Sequence, residues 1–308
     1  MDRRTFIRTI TQGVSIAFLS GCATARRKPA DGLQFTFGAI ADIQYGDKAP
    51  GKTRFYRESV GKLEECVDYM NTQDLEFVVH LGDLVDDRFA DIDKILPVFN
   101  KLTAPGYHVL GNHDVVFPER DQVPAKLGMD AEYYDFATKG WRFIVLDGND
   151  ITMYSKENSE TRKKAEKMLA ALKAAKAVNS APWCGALSEE QMAWLRSILQ
   201  DATSKGERAV VFCHMPVYPS DPHNLWNDKA VISLLESFPC VAAYMNGNNH
   251  AGNYAEKNGI HYLNLRSMVD TPDQSAYATV DVYADRFEVN GFGMEPTHTL
   301  RFGGEGRK

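Results

Sequence analysis

The amino-acid sequence predicts an α/β (α+β) protein, a four-layer α/β/β/α sandwich in which two mixed sheets pack face to face and helices flank them. Short apolar runs typical of buried strands alternate with helical patterns from residue 34 onward. The last third of the chain is richer in strands separated by hairpin turns. No stretch rich in Pro, Gly or Ser divides these segments, so residues 34–302 are expected to form one domain.

The length and composition are those of a globular protein. A chain of 308 residues can bury the core of one large α/β domain. Its hydrophobic and charged fractions, 44% and 25%, are close to the globular average and exclude disorder for most of the length. The net charge is −6 and no basic stripe with interleaved aromatic residues occurs, so no nucleic-acid partner is expected.

Hydrophobic spacing predicts the main helices. A first helix follows the first strand, and a second covers residues 90–102. A later helix begins at Ser188, where Ser188 and Gln191 form a capping-box pattern. The first helix is indicated by apolar side chains at helical spacing, namely Tyr56, Val60, Leu63, Val67 and Met70.

Turn residues predict three hairpins and delimit one insertion. The hairpin turns lie at residues 139–140, 257–259 and 284–286. Residues 148–185 insert a polar loop and a Lys/Ala-rich helix between two core strands. The favoured interpretation is a solvated helix packed on the outside. A lid over the functional site is the alternative, because long insertions in compact domains are often functional.

The first residues predict export and a lipid anchor. Residues 1–21 combine a basic start with a short apolar stretch, as in a signal peptide, and the paired arginines resemble a twin-arginine signal. This segment ends at Cys22 in a pattern that resembles a bacterial lipobox, which implies lipid modification of Cys22 and attachment to a membrane. Residues 22–33 are predicted to be a flexible basic tether. The expected product is a lipoprotein in the periplasm or at the outer membrane or cell surface. The alternative is a frayed helix with a buried cysteine.

Several other reactive side chains are interpreted as structural. Four cysteines lack the spacing of a metal site; they could form disulfides in three pairings, but buried free thiols are favoured: Cys66, Cys184, Cys213 and Cys240. His80 and His108 lie in strand-like runs and are interpreted as packing residues. The remaining histidines outside the motifs are expected at the surface or beside site residues: His223, His261 and His298.

Polar side chains follow five of the strand-like runs, at the point where each strand ends. Oxygen and imidazole donors gathered at the carboxyl ends of strands are typical of a hydrolytic metal site in an α/β protein. The candidate ligands are Asp42, Gln44, Asp83, Asn112, His214, Asn248 and His250.

These residue types suit phosphoryl transfer. The Asp83 carboxylate can bridge two cations, and two divalent ions about 3.5–4 Å apart can hold a bridging hydroxide for in-line attack on phosphorus. His113 lies beside Asn112, where it can donate a proton to the leaving oxygen. Asp114, or Asp83, is predicted to orient the His113 imidazole. The expected catalytic residues are therefore His113 and Asp114.

The motifs resemble those of calcineurin-like metallophosphoesterases, whose fold is a β-sandwich flanked by helices. Gly111-Asn112-His113-Asp114 is the most specific match. The resemblance implies a first metal on Asp42, Gln44, Asp83 and His250. It implies a second metal on Asp83, Asn112, His214 and Asn248, with His113 as general acid.

Two positions depart from the common family pattern. Gln44 stands where most of the superfamily has histidine, and it resembles the branch of manganese-dependent ADP-ribose/CDP-alcohol diphosphatases. Asn248 replaces a further histidine and is not usual in that branch. Amide oxygens in place of imidazoles make the site harder, so two Mn²⁺ ions are expected, with Mg²⁺, Fe²⁺ or Zn²⁺ as alternatives.

The predicted function is a metal-dependent phosphohydrolase that cleaves phosphoanhydride bonds of nucleoside diphosphate-linked alcohols or sugars, such as CDP-alcohols or ADP-ribose. A phosphomonoesterase or phosphodiesterase of other specificity is one alternative. A non-catalytic surface binding lipoprotein is another, but the presence of His113 favours an enzyme because a binder needs no proton donor. No serine-hydrolase elbow, Walker loop or dinucleotide fingerprint occurs in the sequence.

Overall fold

Two six-stranded mixed sheets pack face to face in the computed structural model, which describes residues 32–116 and 118–302. In chain order the strands are β1 (Leu33–Ile40), β2 (Val78–His80), β3 (Gly106–His108), β4 (Tyr134–Thr138), β5 (Trp141–Val145), β6 (Ile151–Thr152), β7 (Gly185–Ala186), β8 (Arg208–Phe212), β9 (Val241–Asn246), β10 (Asn253–Lys257), β11 (Ile260–Asn264), β12 (Ala276–Tyr283), β13 (Arg286–Gly293) and β14 (His298–Arg301).

The sheets share one design, with parallel strands next to antiparallel ones. The first sheet has the order β14-β13-β12-β1-β2-β3, in which β1, β2 and β3 run parallel. The second has the order β10-β11-β9-β8-β5-β4, in which β5, β8, β9 and β11 run parallel. Parallel neighbours end at the same edge of a sheet, so the loops that follow them lie together.

Helices cover the outer face of each sheet. They are α1 (Ser59–Met70), α2 (Ile92–Phe99), α3 (Val123–Lys126), α4 (Glu160–Ala174), α5 (Glu189–Ser204) and α6 (Asp228–Glu236). Helices α1 and α2 pack on the first sheet, and α5 and α6 pack on the second. The predicted four-layer sandwich is therefore confirmed. The second predicted helix is shorter than residues 90–102: a 3₁₀ turn precedes it, and it ends at residue 99.

The inter-sheet core is built from aromatic rings. Phe37 stacks on Phe77 at 4.9 Å between ring centroids, and Phe143 stacks on Phe212 at 5.8 Å. Along β1, Phe37 faces the second sheet whereas Ile40 faces the helices. Side chains alternate between the two faces of a strand, and both faces of β1 are buried. The sequence of such a strand is therefore a nearly continuous apolar run.

The predicted capping box at the start of α5 is only half formed. The Ser188 hydroxyl accepts a hydrogen bond from the Gln191 backbone at 3.1 Å. The Gln191 side chain does not return to Ser188. It donates instead to the Asp150 carboxylate at 2.9 Å, which also accepts the Ser188 backbone N–H. A carboxylate from a neighbouring loop has replaced the reciprocal bond.

The three predicted hairpins and the inserted helix are confirmed. Strands β4 and β5, β10 and β11, and β12 and β13 pair antiparallel across the predicted turns. In the insertion, Ala165 and Leu169 of α4 pack against Ile151 and Ala186 of the short β6–β7 sheet, and the opposite side of the helix is exposed. This agrees with the favoured interpretation of a helix on the outside.

The predicted signal peptide and lipidation site lie outside the described residues. Strand β1 starts at Leu33, the last residue of the predicted tether. Among the described residues, no helix has the length and apolar character needed to cross a bilayer. In this part of the chain no disulfide joins the four cysteines; Cys66, Cys184 and Cys213 are buried, as predicted, whereas Cys240 is half-buried.

A buried pair of histidines makes the stability of the folded protein depend on pH. His80 and His108 face each other across β2 and β3, and burial lowers the pKa of His108 to about 4 from its ordinary 6.5. Between those values the unfolded chain binds the proton and the folded chain does not, so stability is lost as the pH falls through this window. The full loss is about 3 kcal/mol.

We expect His108→Phe to flatten this dependence. The imidazole already packs against the Phe99 ring at 4.6 Å between centroids, so a phenyl ring suits the site. Urea unfolding between pH 4 and 7 should give a smaller slope of unfolding free energy against pH than the parent protein gives. An unchanged slope would show that His108 contributes nothing to acid sensitivity.

Candidate metal centre

The predicted ligands lie in strained turns at the carboxyl ends of the strands. Four of them have left-handed backbone angles that non-glycine residues rarely adopt: φ is 51° at Asp42, 41° at Gln44, 58° at Asp83 and 68° at Asn248. The turns are fixed by backbone bonds, since Asp42 N–H donates to Gly82 at 3.1 Å and Gln44 N–H donates to Asp83 at 2.8 Å. Such strain gathers at functional sites because the surrounding fold maintains it.

Two carboxylates and one imidazole form the centre of the site. Ligand atoms of Asp42, Asp83 and His214 lie within 4.8 Å of one another, and all three residues are buried. His214 Nε2 lies 3.2 Å from Asp83 Oδ2 and 3.9 Å from Asp42 Oδ1. Two buried carboxylates at this separation repel each other unless a cation lies between them.

Second partners orient both predicted imidazole ligands. His214 Nδ1 donates to the Leu81 carbonyl at 2.8 Å, and His250 Nδ1 lies 3.2 Å from Asp270 Oδ1. A proton held on Nδ1 leaves the lone pair on Nε2. His250 Nε2 faces Asp42 at 3.6 Å. Both rings therefore direct a metal-binding nitrogen at the carboxylates.

Two of the predicted ligand atoms are buried acceptors without a hydrogen-bond partner among the described residues. These are Gln44 Oε1 and Asn112 Oδ1. Gln44 is held by its other amide atom, which donates to Asp83 Oδ2 at 3.2 Å. A buried acceptor without a partner is costly, and a divalent cation would satisfy both. The residues thus fit the metal that the sequence predicts.

Electrostatics in the site reflect the crowded carboxylates. Burial raises the pKa of Asp42 above its ordinary value. Burial alone would lower the pKa of His214, but the Asp83 and Asp42 carboxylates outweigh it and raise that pKa to about 9. Burial opposes ionisation of Asp83 too, yet His214 and His113 hold its pKa well below the usual range. A cation that binds here must displace the His214 proton.

Glycine is required beside the ligands because the backbone approaches them closely. A Cβ on Gly82 would lie 2.5 Å from His214 Nδ1, and a Cβ on Gly247 would lie 2.5 Å from Asp42 Oδ2. Any side chain at these positions would push a ligand out of the cluster. Close packing against the ligands therefore explains why glycine precedes Asp83 and Asn248.

His113 lies at the cluster, held by Asp86. Its backbone N–H donates to Asp83 Oδ1 at 2.8 Å. Its Nδ1 donates to the Asp86 carbonyl at 2.5 Å and lies 3.4 Å from the Asp86 carboxylate. The remaining ring nitrogen, Nε2, is the one available to a substrate. Asp86 is a site residue that the sequence prediction does not include, although its place three residues after Asp83 is a usable signal.

The prediction that Asp114 orients His113 is wrong. Both Asp114 oxygens accept backbone N–H groups instead, from Asp83 and Gly111 at 2.9 Å each, from Leu84 at 2.9 Å and from Val85 at 3.2 Å. A 3₁₀ turn over residues 113–115 buries the Asp114 side chain. Burial and the nearby Asp83 carboxylate raise the pKa of Asp114 to about 7. Asp114 thus holds the turn that carries Asp83.

A cavity of about 400 Å³ opens onto the cluster. It is lined by five predicted site residues and by four others that sequence analysis did not place there. The predicted residues are Asp83, Asn112, His113, Asn248 and His250. The others are Arg54, Tyr154, Trp183 and His223. Tyr154 and Trp183 belong to the insertion, so its flanks reach the site although its helix does not.

The decisive comparison is with known families. Residues 35–252 match the family model described as calcineurin-like phosphoesterase. The chain belongs to the calcineurin-like phosphoesterase family. The family predicted from the strand-end motifs is confirmed, and this phosphoesterase is a metal-dependent hydrolase.

Relatives of this phosphoesterase match it over nearly their full length. A protein of Arabidopsis thaliana named manganese-dependent ADP-ribose/CDP-alcohol diphosphatase is 30% identical over 87% of this chain and 96% of the relative. One of Homo sapiens with the same name is 27% identical over 87% and 93%. The structure of a dimetal phosphatase from Danio rerio has a TM-score of 0.80 at 27% identity and covers 89% of this chain and 100% of that chain.

The donor set of this phosphoesterase suits hard divalent cations. It combines the Asp42 and Asp83 carboxylates, the His214 and His250 imidazoles, and amide oxygens. The structure brings all seven predicted ligands and His113 to one place. Which of them binds which ion stays a prediction.

Proposed function

We propose that this phosphoesterase is a manganese-dependent diphosphatase that hydrolyses the phosphoanhydride bond of nucleoside diphosphate-linked alcohols or sugars of the CDP-alcohol and ADP-ribose type. The observation that carries the proposal is Gln44, whose amide lies inside the metal cluster with a buried, unpartnered oxygen. Relatives that carry the name of this activity match most of the chain and support the proposal.

The proposed ligand sets are those that the family resemblance implies. Asp83 would bind both ions. The other ligands of the first ion would be Asp42, Gln44 and His250, and those of the second would be Asn112, His214 and Asn248. Two bound Mn²⁺ ions would supply a nucleophile at neutral pH and would stabilise charge on the phosphoryl oxygens. His113 Nε2 donates the proton that the leaving oxygen needs, while the Asp86 carbonyl holds Nδ1.

The cavity offers contacts for both parts of such a substrate. The Arg54 guanidinium lines it and can bind a phosphate oxygen. Trp183 is 43% exposed at the cavity, and Tyr154 lies beside the same space. An exposed aromatic ring that lines a site is suited to stack on a nucleobase. We therefore assign the base to Trp183 and the diphosphate to Arg54 and the metals.

Trp183→Ala tests the nucleobase contact. Loss of one stacking ring removes about 1–3 kcal/mol of binding, so KM for a CDP-alcohol should rise about 5–150-fold. An aryl phosphodiester has no nucleobase, and its hydrolysis by the variant should be unchanged. Equal losses on both substrates would show that Trp183 supports the fold of the cavity rather than the base.

A substrate panel tests the activity itself. Metal-free enzyme is reloaded with Mn²⁺ and assayed on CDP-choline, CDP-glycerol, ADP-ribose and aryl phosphate mono- and diesters. Release of CMP or AMP from the diphosphates, at higher kcat/KM than for the aryl esters, supports the proposal. Preference for the aryl esters would favour a phosphomonoesterase or phosphodiesterase. Metal binding without hydrolysis of any member would favour a binding protein.

We also propose that residues 1–21 are removed on export and that Cys22 carries a lipid, so that residues 34–302 are held at a membrane in the periplasm or at the cell surface. The basic start, the apolar stretch and the lipobox-like end of this segment support the proposal. Metabolic labelling with a palmitate analogue should mark the parent protein but not Cys22→Ser. Equal labelling of both would refute lipidation at Cys22.

A further inference from the structure

A histidine that no motif predicts lies against the weakest predicted ligand. The side-chain N–H₂ of Asn248 donates to the backbone carbonyl of His223 at 3.1 Å. The two residues also line the same cavity as Asp83, Asn112 and His113. The position of Asn248 is the one where the family resemblance expects an imidazole for the second metal. The residue that replaces the expected imidazole therefore holds the backbone of another histidine at the same cavity.

The His223 ring has a carboxylate on one of its two nitrogens, as metal-binding histidines do. Its Nδ1 lies 2.6 Å from Asp221 Oδ1, so Nδ1 donates its proton to that carboxylate and the lone pair is left on Nε2. His250, a predicted ligand, has the same arrangement with Asp270. A carboxylate on the far nitrogen of an imidazole is typical of metal-binding histidines, because it fixes the tautomer and raises the basicity of the ligand.

The segment that carries His223 is tied to the segment that carries Asn248. Asp221 accepts the His223 backbone N–H at 2.9 Å and the Asn249 side-chain N–H₂ at 3.1 Å. The Asn224 side chain, which is buried, donates to the Val217 carbonyl at 2.9 Å. The ring is thus fixed in place and about one-third exposed towards solvent. A surface histidine without a role needs none of these bonds.

We infer that His223 is a ligand of the second divalent cation and supplies, through Nε2, the imidazole that Asn248 does not provide. Asn248 then acts mainly by holding the His223 backbone, and Asp221 holds the His223 ring. This inference rests on the two-metal centre of the proposed function. It adds an eighth residue to the candidate ligands and explains how the centre tolerates an amide at position 248.

Metal binding, measured directly, tests the inference. Metal-free parent protein and His223→Ala are titrated with Mn²⁺ by calorimetry, and the exchange-coupled Mn²⁺ pair is followed by electron paramagnetic resonance. The parent should bind two ions. In His223→Ala the second ion should bind about 10–100-fold more weakly, or more weakly still, and the coupled signal should fall, while the first ion binds as before. His298→Ala, a histidine on β14, is the matched control and should behave like the parent.

A swap of the imidazole is the sharper test. Adding Asn248→His to His223→Ala restores an imidazole at the neighbouring position, so binding of the second ion should recover. His223→Gln, which keeps the length and polarity of the side chain, provides a second variant should His223→Ala fold poorly. Asn248→His in the parent background is the control: if the two imidazoles substitute for each other, it should strengthen binding of the second ion less than the same change does in His223→Ala, and an equal gain in both backgrounds would overturn the inference.

The outcomes separate this inference from the proposed activity. Two ions bound with unchanged affinity in both His223 variants would overturn the inference and leave the diphosphatase proposal in place. A parent protein that binds one ion would overturn both. Selective loss of the second ion in the variants, with no diphosphate hydrolysed by the parent, would support His223 as a metal ligand and refute the proposed diphosphatase activity. If the His223 variants bind both ions and differ from the parent only in a higher KM, His223 contacts the substrate and the inference is overturned.

Discussion

Replacing Asp83 with alanine is expected to remove metal binding and activity together. Asp83 contacts three other site residues: Oδ2 meets the Gln44 amide and His214 at 3.2 Å each, and Oδ1 accepts the His113 backbone N–H at 2.8 Å. It is also the carboxylate assigned to both ions. Loss of two cations removes several kcal/mol of transition-state stabilisation, so kcat should fall by at least about 10³-fold.

Metal content and thermal stability are the measurements for Asp83→Ala. Bound Mn²⁺ stabilises the folded state by mass action, so the parent should gain several degrees in Tm on loading and the variant should gain none. Asp87→Ala is the matched control, because Asp87 is a half-exposed acid four residues along the same loop. Two ions retained in Asp83→Ala would contradict the assignment of Asp83 as the shared ligand.

The location of the site could be predicted because it depends on topology. Asp42, Asp83 and Asn112 follow β1, β2 and β3, which are parallel neighbours. The carboxyl ends of these strands therefore lie at the same edge of the sheet, whatever the course of the loops between them. His214 and Asn248 follow β8 and β9 in the other sheet for the same reason. Short apolar runs identify these strands without any knowledge of packing. Only the sandwich, which brings the two sheet edges together, is needed in addition.

The carboxylates that orient the site could not be predicted in the same way. Asp114 is adjacent to His113 in the sequence, yet it is Asp86, 27 residues away, that contacts the His113 ring. The direction of each side chain is set by the 3₁₀ turn at 113–115 and by the left-handed backbone at Asp83, which differ from ideal helix or strand. Asp270 reaches His250 from a loop 20 residues away, and no periodicity encodes that contact.

The cavity wall was harder still to predict. Trp183 and Tyr154 are 29 positions apart, yet both line the cavity, because the short β6–β7 sheet brings the two ends of the insertion together. Trp226, by contrast, is buried, and its indole N–H donates to the Ala181 carbonyl at 2.9 Å. Composition and spacing say that aromatic residues are present. Tertiary packing decides which of them is exposed.

Conflicts between local preference and global fold mark the functional residues in this chain. Left-handed angles at Asp42, Gln44 and Asn248 oppose backbone preference, and the buried oxygens of Gln44 and Asn112 lack partners. Sequences are expected to be locally consistent with their fold except where function requires otherwise. The two kinds of conflict coincide at the carboxyl ends of the strands, which is the same place that the sequence motifs indicate.

His113→Ala is expected to slow the reaction strongly while the metals stay bound. The His113 backbone N–H donates to the Asp83 carboxylate, and His113 Nδ1 donates to the Asp86 carbonyl. No atom of the His113 side chain is a predicted metal ligand, so its removal should leave the metals bound. A positioned general acid contributes about 10²–10⁴-fold, so kcat for a CDP-alcohol should fall by that factor with Mn²⁺ content unchanged. KM should change little, because the lost interaction belongs to the transition state.

The leaving group provides the test that a structural role cannot imitate. A leaving oxygen of high pKa needs a proton more than one of low pKa does, so the loss in His113→Ala should shrink as the leaving aryl oxide becomes more acidic. A series of aryl phosphodiesters of graded leaving-group pKa, with His298→Ala as the control variant, measures this slope. If His113→Ala lowers every rate by the same factor, the imidazole positions the substrate and the proton comes from elsewhere. If the loss disappears for the most acidic aryl group, His113 is the proton donor, and the Asp86 carbonyl that holds its Nδ1 is what keeps Nε2 as the nitrogen facing the substrate.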